Sequence, residues 1–115
     1  MRAQIPDRGE IYHLDLDPAA GREQRGHHYA VILTGRDYNA THLPFAAPVT
    51  TVGNASRFGG TYVSLAGAGT GVTGIVQLDQ VRAFDFKARG ARKSADRVPD
   101  AIMDDILARF VAIFE

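Results

Sequence analysis

The stretch Gly21-Arg22-Glu23-Gln24-Arg25-Gly26-His27-His28-Tyr29-Ala30-Val31-Ile32-Leu33 decides the fold, because in it a polar loop runs directly into a core element. Tyr29 to Leu33 is a continuous apolar run of strand length, which reads as a strand buried on both faces. Ahead of it, Gly21 and Gly26 bracket Arg22, Glu23, Gln24 and Arg25, so the backbone there is permissive and solvated. His27 and His28 stand at the seam. Histidine is the side chain that ordinarily titrates nearest neutrality, so a histidine placed there can exchange protons with a substrate at working pH. The plainer reading, solvated loop charges and histidines that simply begin a strand, stays open on these residues alone.

Working outward, Ile11 to Leu16 alternates Tyr12, Leu14 and Leu16 with His13 and Asp15, the pattern of a half-buried strand that Asp17-Pro18 ends. On the other side, Gly35 to Asn39 is polar and long enough for a turn of helix. Leu43 to Thr51 reads as a third strand. Pro44 and Pro48 lie within it, and proline cannot donate to a ladder, so the strand is expected to be bent, bulged or at an edge. Gly53-Asn54 and Gly59-Gly60 frame a loop carrying Arg57 and Phe58, and Thr61 to Leu65 is a fourth strand.

Gly69, Gly71 and Gly74 match the dinucleotide glycine pattern, but that fingerprint needs a helix after it. Here the strand Ile75 to Leu78 follows, which makes the glycine run a hairpin loop, and no lysine is placed for a P-loop. With Val76 and Leu78 facing the core, Thr73, Ile75, Gln77 and Asp79 share the opposite face. Gln80 to Phe86 extends the sheet, Lys87 to Gly90 turns, and Ala91 to Val98 adds a short basic strand. Pro99 then starts a helix, where its missing donor is harmless. Ile102, Ile106, Phe110 and Ile113 form its apolar stripe, widened by Met103, Leu107 and Phe114. The expected architecture is mainly β: one domain over residues 1–115, with about six or seven short strands curled into a small barrel and a carboxy-terminal helix.

Composition narrows the function classes. The net charge is zero, so no global field argues for nucleic acid or membrane. Locally, Arg82, Lys87, Arg89, Arg92, Lys93 and Arg97 face only Asp85 and Asp96, which makes this segment a possible phosphate-facing patch or simply a solvated surface. The absence of cysteine removes disulfides, thiolate nucleophiles and cysteine metal sites. His27 and His28 point to opposite sides of a strand, and the histidines lack helical metal-ligand spacing, so no metal is expected; His13 and His42 read as surface residues. Met1 to Arg8 is polar and no apolar run reaches spanning length, so the expectation is a cytoplasmic protein without membrane association, in which Asn39 and Asn54 are coincidental sequons.

Several phrases then read as one family. Arg8-Gly9-Glu10-Ile11, Asp17-Pro18, Gly21, Glu23-Gln24, Gly26, Pro48-Val49-Thr50-Thr51, Asp79-Gln80-Val81-Arg82, Lys87-Ala88-Arg89-Gly90 and Arg97-Val98-Pro99 together resemble the MazF/PemK/Kid toxins of type II toxin–antitoxin pairs. The likeness covers nearly the whole chain, and it is nearest the PemK/Kid branch from Leu43 onward. It implies an SH3-like small barrel (MazF/CcdB-like) and a homodimer. It also implies an endoribonuclease, or mRNA interferase, that cleaves single-stranded RNA at short sequences without a metal or other cofactor, and a cognate MazE/PemI-like antitoxin that occupies the RNA groove.

By position, the groove residues implied by this resemblance fall on Arg22, His28, Thr50, Thr51, Thr73, Ile75, Gln77 and Asp79, with Glu23, Gln24 and Arg25 in the loop beside them. The departures are specific. His28-Tyr29 stands where most members carry arginine-proline, Arg22 where the PemK/Kid branch has a histidine, and Gln77 where it has an arginine. Attack by the substrate's own 2′-hydroxyl needs a base, an acid for the leaving 5′-oxygen, and positive charge near the transition state. The chemistry is therefore expected to be redistributed: His28 transfers protons, Asp79 is its partner or the base, Arg22 and Arg25 supply phosphate charge, Thr50 bonds the scissile phosphate, and Thr51 and Gln77 position bases. Two other readings stay open, a member that binds RNA and antitoxin but does not cleave, and a gyrase poison of the CcdB type. The latter would use the helix end, where this chain has Ile113-Phe114-Glu115 and no tryptophan.

Overall fold

A computed structural model of the chain describes residues 4–51 and 60–115. Arg57, Phe58 and the sequon at Asn54 lie outside the described residues. The elements are β1 (Glu10–Asp15), β2 (His27–Ile32), α1 (Arg36–Asn39), β3 (Phe45–Thr50), β4 (Tyr62–Ser64), β5 (Ile75–Gln77), a single 3₁₀ turn (Leu78–Gln80), β6 (Arg82–Ala83), β7 (Arg92–Arg97) and α2 (Asp100–Ala112). All strand pairs are antiparallel, in the spatial order β4-β5-β3-β2-β1-β7, with β6 also pairing β3.

Side-chain alternation gives each face of the sheet its own core. On one face Ile11, Val31, Ala47, Val49 and Val76 pack with Leu65, Leu78 and Val98 beneath Met103 and Ile106 of α2. On the other, Tyr12, Leu14, Leu16, Ala30, Ile32 and Ala46 pack against Phe84 and Phe86. The Tyr29-to-Leu33 run is thus apolar because both of its faces are covered beyond Tyr29. At α2, the Pro99 carbonyl accepts the N–H groups of Ile102 and Met103 at 3.0 Å. The expected stripe on this helix is buried only in its first half: Ile113 and Phe114 are exposed, Phe114 to 75%.

Pro48 is fully buried in a central strand, contrary to an edge placement. The Leu33 N–H bonds the Phe45 carbonyl and the Phe84 N–H bonds the Pro44 carbonyl. Even-numbered β3 residues therefore turn their backbone groups away from β2. On that side β5 pairs only Val49 and Thr50, and β6 only Phe45 and Ala46, so the missing donor of Pro48 falls in the gap between them.

The glycine run is a hairpin loop between β4 and β5, as expected. Its backbone is held from β7, where the Asp96 carboxylate accepts the Gly71 and Val72 N–H groups, each at 2.9 Å. Gly74 has φ +129°, and a Cβ there would lie 2.6 Å from the Thr50 carbonyl oxygen. Gly74→Ala is expected to lose about 3 kcal/mol of stability, at the upper end for single substitutions, because backbone meets backbone. Urea unfolding measures it, and a loss under about 0.5 kcal/mol would show that β3 and β5 can separate there.

Asp7 ties three segments together. Its Oδ1 accepts the N–H groups of Arg8 (2.8 Å) and Arg36 (3.1 Å), and its Oδ2 lies 3.8 Å from Arg97. Burial works to raise its pKa, but the two backbone bonds and the Arg97 and Arg36 charges outweigh it and hold the carboxyl below its ordinary value. A lowered folded pKa gives stability that is present above the unfolded value and lost as pH falls through the folded one. Asp7→Asn should lower the melting temperature at neutral pH, with the gap closing as the pH drops through and below the ordinary aspartate range. A gap independent of pH would contradict this.

Candidate nucleic-acid interface

The loop before β2 and the 3₁₀ turn after β5 form the two walls of a cleft of about 450 Å³. Arg22, Glu23 and Gln24 line one wall, Asp79, Gln80 and Arg82 the other, and Pro48 contributes from β3. The contacts that hold the loop across the cleft are polar. Gln80 Oε1 accepts the Gln24 N–H at 3.3 Å, and Gln80 Nε2 donates to the Arg22 carbonyl at 3.5 Å. Glu23 adds a 3.9 Å ion pair to Arg82.

Asp79 does not continue the β5 face. The strand ends at Gln77, and the chain turns into a 3₁₀ helix as Leu78 is drawn into the core under α2. That turn carries Asp79 off the line of Ile75 and Gln77 and into the cleft with Arg22.

His28 sits half-buried on β2, opposite Leu14 on β1, with its Nδ1 3.0 Å from the Val49 carbonyl oxygen. A carbonyl oxygen only accepts, so Nδ1 carries the hydrogen and the neutral ring keeps its lone pair on Nε2. Tyr29 pairs with Val49, so the same register continued by one residue sets His28 across from Thr50. Thr50 pairs with Ile75, and Gln77 pairs with Tyr62, so Thr50, Ile75, Gln77 and Tyr62 lie on the sheet face that His28 occupies. Thr50, Ile75 and Gln77 are buried, and Gln77 Nε2 donates to the Tyr62 hydroxyl at 3.0 Å.

A family model described as "PemK-like, MazF-like toxin of type II toxin-antitoxin system" matches residues 7–114. The chain belongs to this toxin family. It is 45% identical over 108 residues to Endoribonuclease PemK of Escherichia coli, covering 93% of this chain and 80% of that protein. It is 34% identical over 110 residues to Endoribonuclease toxin ChpB of Escherichia coli K12, covering 95% and 94%. Among solved structures, MazF (Form-I) from Deinococcus radiodurans superposes with a TM-score of 0.85 at 29% identity, covering 97% of this chain and 98% of that one. A MazE-MazF structure (Form-III) from the same organism matches with a TM-score of 0.78 at 28% identity, covering 96% and 97%. The mainly β, SH3-like small barrel with a carboxy-terminal helix is thus the fold of this toxin.

In this family member the expected site residues fall into two groups that meet at Pro48. Arg22, Glu23, Gln24 and Asp79 share the cleft, while His28, Thr50, Ile75 and Gln77 share the strand face. Arg25, Thr51 and Thr73 are exposed and line neither the cleft nor the buried part of the face. Gln80, which fixes the loop, had no role assigned from sequence, although it belongs to the Asp79-Gln80-Val81-Arg82 phrase.

The basic segment is largely structural. Arg82 donates to the Leu16 carbonyl at 2.7 Å, and Arg89 to the carbonyls of Asp15 (2.9 Å) and Asp17 (2.8 Å). Lys93 and Arg97 pair with Glu10 and Asp7, each at 3.8 Å. His13 and His27 stack on the face opposite His28, with ring centroids 5.8 Å apart, as alternation requires. Asn39 is buried and donates to the carbonyls of Pro6 and Thr34, both at 2.8 Å, so its amide serves the fold. No helix among the described residues is long and apolar enough to cross a membrane.

Proposed function

We propose that this toxin is a sequence-specific endoribonuclease that cleaves single-stranded RNA through attack of the 2′-hydroxyl on the adjacent phosphate. The bond from phosphorus to the 5′-oxygen breaks, leaving a 2′,3′-cyclic phosphate and a 5′-hydroxyl. The observation that carries this reading is the His28 Nδ1 contact to the Val49 carbonyl, which leaves Nε2 for proton transfer on the face shared with Thr50. Asp79 and Arg22 in the adjoining cleft supply the second acid–base group and the positive charge beside the phosphate. Thr50 bonds the phosphate, Glu23, Gln24, Arg25, Thr51, Thr73 and Ile75 contact the strand, and Gln77 meets a base. Each step uses side chains alone, so no metal enters it.

The names of PemK, ChpB and MazF as endoribonucleases support the activity. The MazE-MazF structures support a homodimer whose groove a cognate MazE/PemI-like antitoxin blocks. Action on mRNA places the toxin in the cytoplasm, where cleavage arrests translation and growth. The test is incubation of the purified protein with a long single-stranded RNA in EDTA, with product ends mapped by primer extension. Fragments bearing 5′-hydroxyl ends at a recurring short word are expected. Intact RNA that remains bound would make this member a cleavage-deficient binder, the reading that the loss of arginine at positions 28 and 77 favours.

A further inference from the structure

We propose that His13, His27 and Tyr29 form a base-stacking platform that holds single-stranded RNA beyond the cleft; this rests on the reading that the toxin acts on RNA. In the β1/β2 ladder His13 is opposite Tyr29 and Asp15 is opposite His27, so the three rings share one sheet face. His13 and His27 lie parallel, with an interplanar angle of 8° and centroids 5.8 Å apart, and Tyr29 meets His13 edge to face at 5.0 Å. His13 is half-buried, while His27 and Tyr29 are exposed. The same face is covered at Ile11 and Val31, which pack with Met103 and Ile106 of α2, and it opens to solvent at these rings.

Charge indicates what covers the platform. Arg92, opposite His13 in the β1/β7 ladder, is exposed and has no ion pair among the described residues. The acid beside the rings, Asp15, gives its Oδ1 to the Asp17 N–H at 3.0 Å. Aromatic rings on a sheet next to a free cation match unstacked bases and the phosphates between them. An apolar protein surface would satisfy the rings but would bury Arg92 without a counter-charge.

The path from the cleft is short. Gln24 lines the cleft and His27 begins the platform, so at most ~11 Å of chain separates them. Arg25 lies between, exposed and outside the cleft, where its cation meets the phosphate of a strand that rounds the end of the hairpin. Consecutive His27 and His28 thus serve opposite faces of β2. Tyr29 stands where most members of the family carry proline, so this ring belongs to this chain and not to the shared barrel.

The experiment is RNA affinity, by filter retention, for two strands that carry a 2′-deoxyribose immediately 5′ to the mapped scissile phosphate. One is limited to the cleavage word and the other is extended on both sides. Wild type should bind the extended strand more tightly. Tyr29→Ala and His27→Ala should each weaken the extended strand by about tenfold, as loss of one base–ring stack implies, and leave the short strand unchanged. Tyr29→Phe, which keeps the ring, should match wild type. Arg92→Ala should lower the log–log salt slope for the extended strand by about 0.7, the value for one phosphate contact on a single strand. Equal losses for both strands, or no loss in either ring variant, would overturn the proposal. So would a shift from dimer to monomer in sedimentation of either ring variant, which would give the face to a second copy. If Tyr29→Ala fails to fold, the exposed His27 and Arg92 still decide it. If wild type binds RNA without cleaving it, one long mixed-sequence RNA replaces both strands, and the same tenfold loss is required. Wild type that binds no RNA overturns the groove reading and the platform with it, whereas RNA binding that the variants leave intact overturns the platform alone.

Discussion

Replacing His28 by alanine is expected to slow single-turnover RNA cleavage by about 10²–10⁴-fold, the range usual for a positioned proton-transfer group. The physical ground is the bond from Nδ1 to the Val49 carbonyl, which fixes the tautomer and orientation without any help from substrate. Binding should weaken far less than the rate, because a half-buried imidazole supplies little phosphate charge of its own. A His28→Ala protein that cleaves at the wild-type rate would remove His28 from the chemistry.

Asp79→Asn is expected to cost about 10²–10³-fold in the same assay, with the amide preserving shape and removing only the charge. Asp79 reaches the cleft because the chain leaves the β5 line at Leu78, so it lines the same cleft as Arg22 instead of continuing the line of Ile75 and Gln77. If His28 and Asp79 handle the same proton transfer, the double variant should be no slower than the slower single variant, because groups that act as a unit are not additive. Multiplying penalties would instead assign them separate steps, one at the 2′-hydroxyl and one at the leaving 5′-oxygen. A full-rate Asp79→Asn protein would remove Asp79 from the chemistry.

Much of this was legible in the sequence, for reasons that particular residues show. The Tyr29-to-Leu33 run marked a strand covered on both faces, and the alternation of Tyr12, Leu14 and Leu16 marked its neighbour, because burial writes itself into period and composition. The helix after Pro99 was equally plain. Pro48 argued for a strand that is bent, bulged or at an edge; the edge alternative fails, because the divergence of β5 and β6 makes room for the proline in the centre. Such a gap is a property of strands distant in sequence. The placement of Asp79 was missed for a similar reason: alternation extended past Gln77 holds only while the chain stays extended, and burial of Leu78 ended it.

The site was legible as a set of residues more than as a geometry. Arg22, His28, Thr50 and Asp79 could be marked from the phrases around them, but their division between a cleft and a strand face could not. Nor could a sequence show that Arg82 and Arg89 spend their guanidinium groups on the carbonyls of Leu16, Asp15 and Asp17. A run of basic residues looks the same whether it faces RNA or clips a turn. Gln80 shows the converse, a neutral side chain whose two contacts to the Arg22–Gln24 backbone hold one wall of the cleft against the other.

The most direct measurement is cleavage, in EDTA, of a single-stranded RNA that carries one 2′-deoxyribose immediately 5′ to a mapped scissile phosphate. The account predicts no product at that bond while the strand stays bound, because the nucleophile is the missing hydroxyl and His28 and Asp79 have no proton to take. Cleavage there at the rate of the unmodified strand would show that water is the nucleophile and would contradict the mechanism built on these residues.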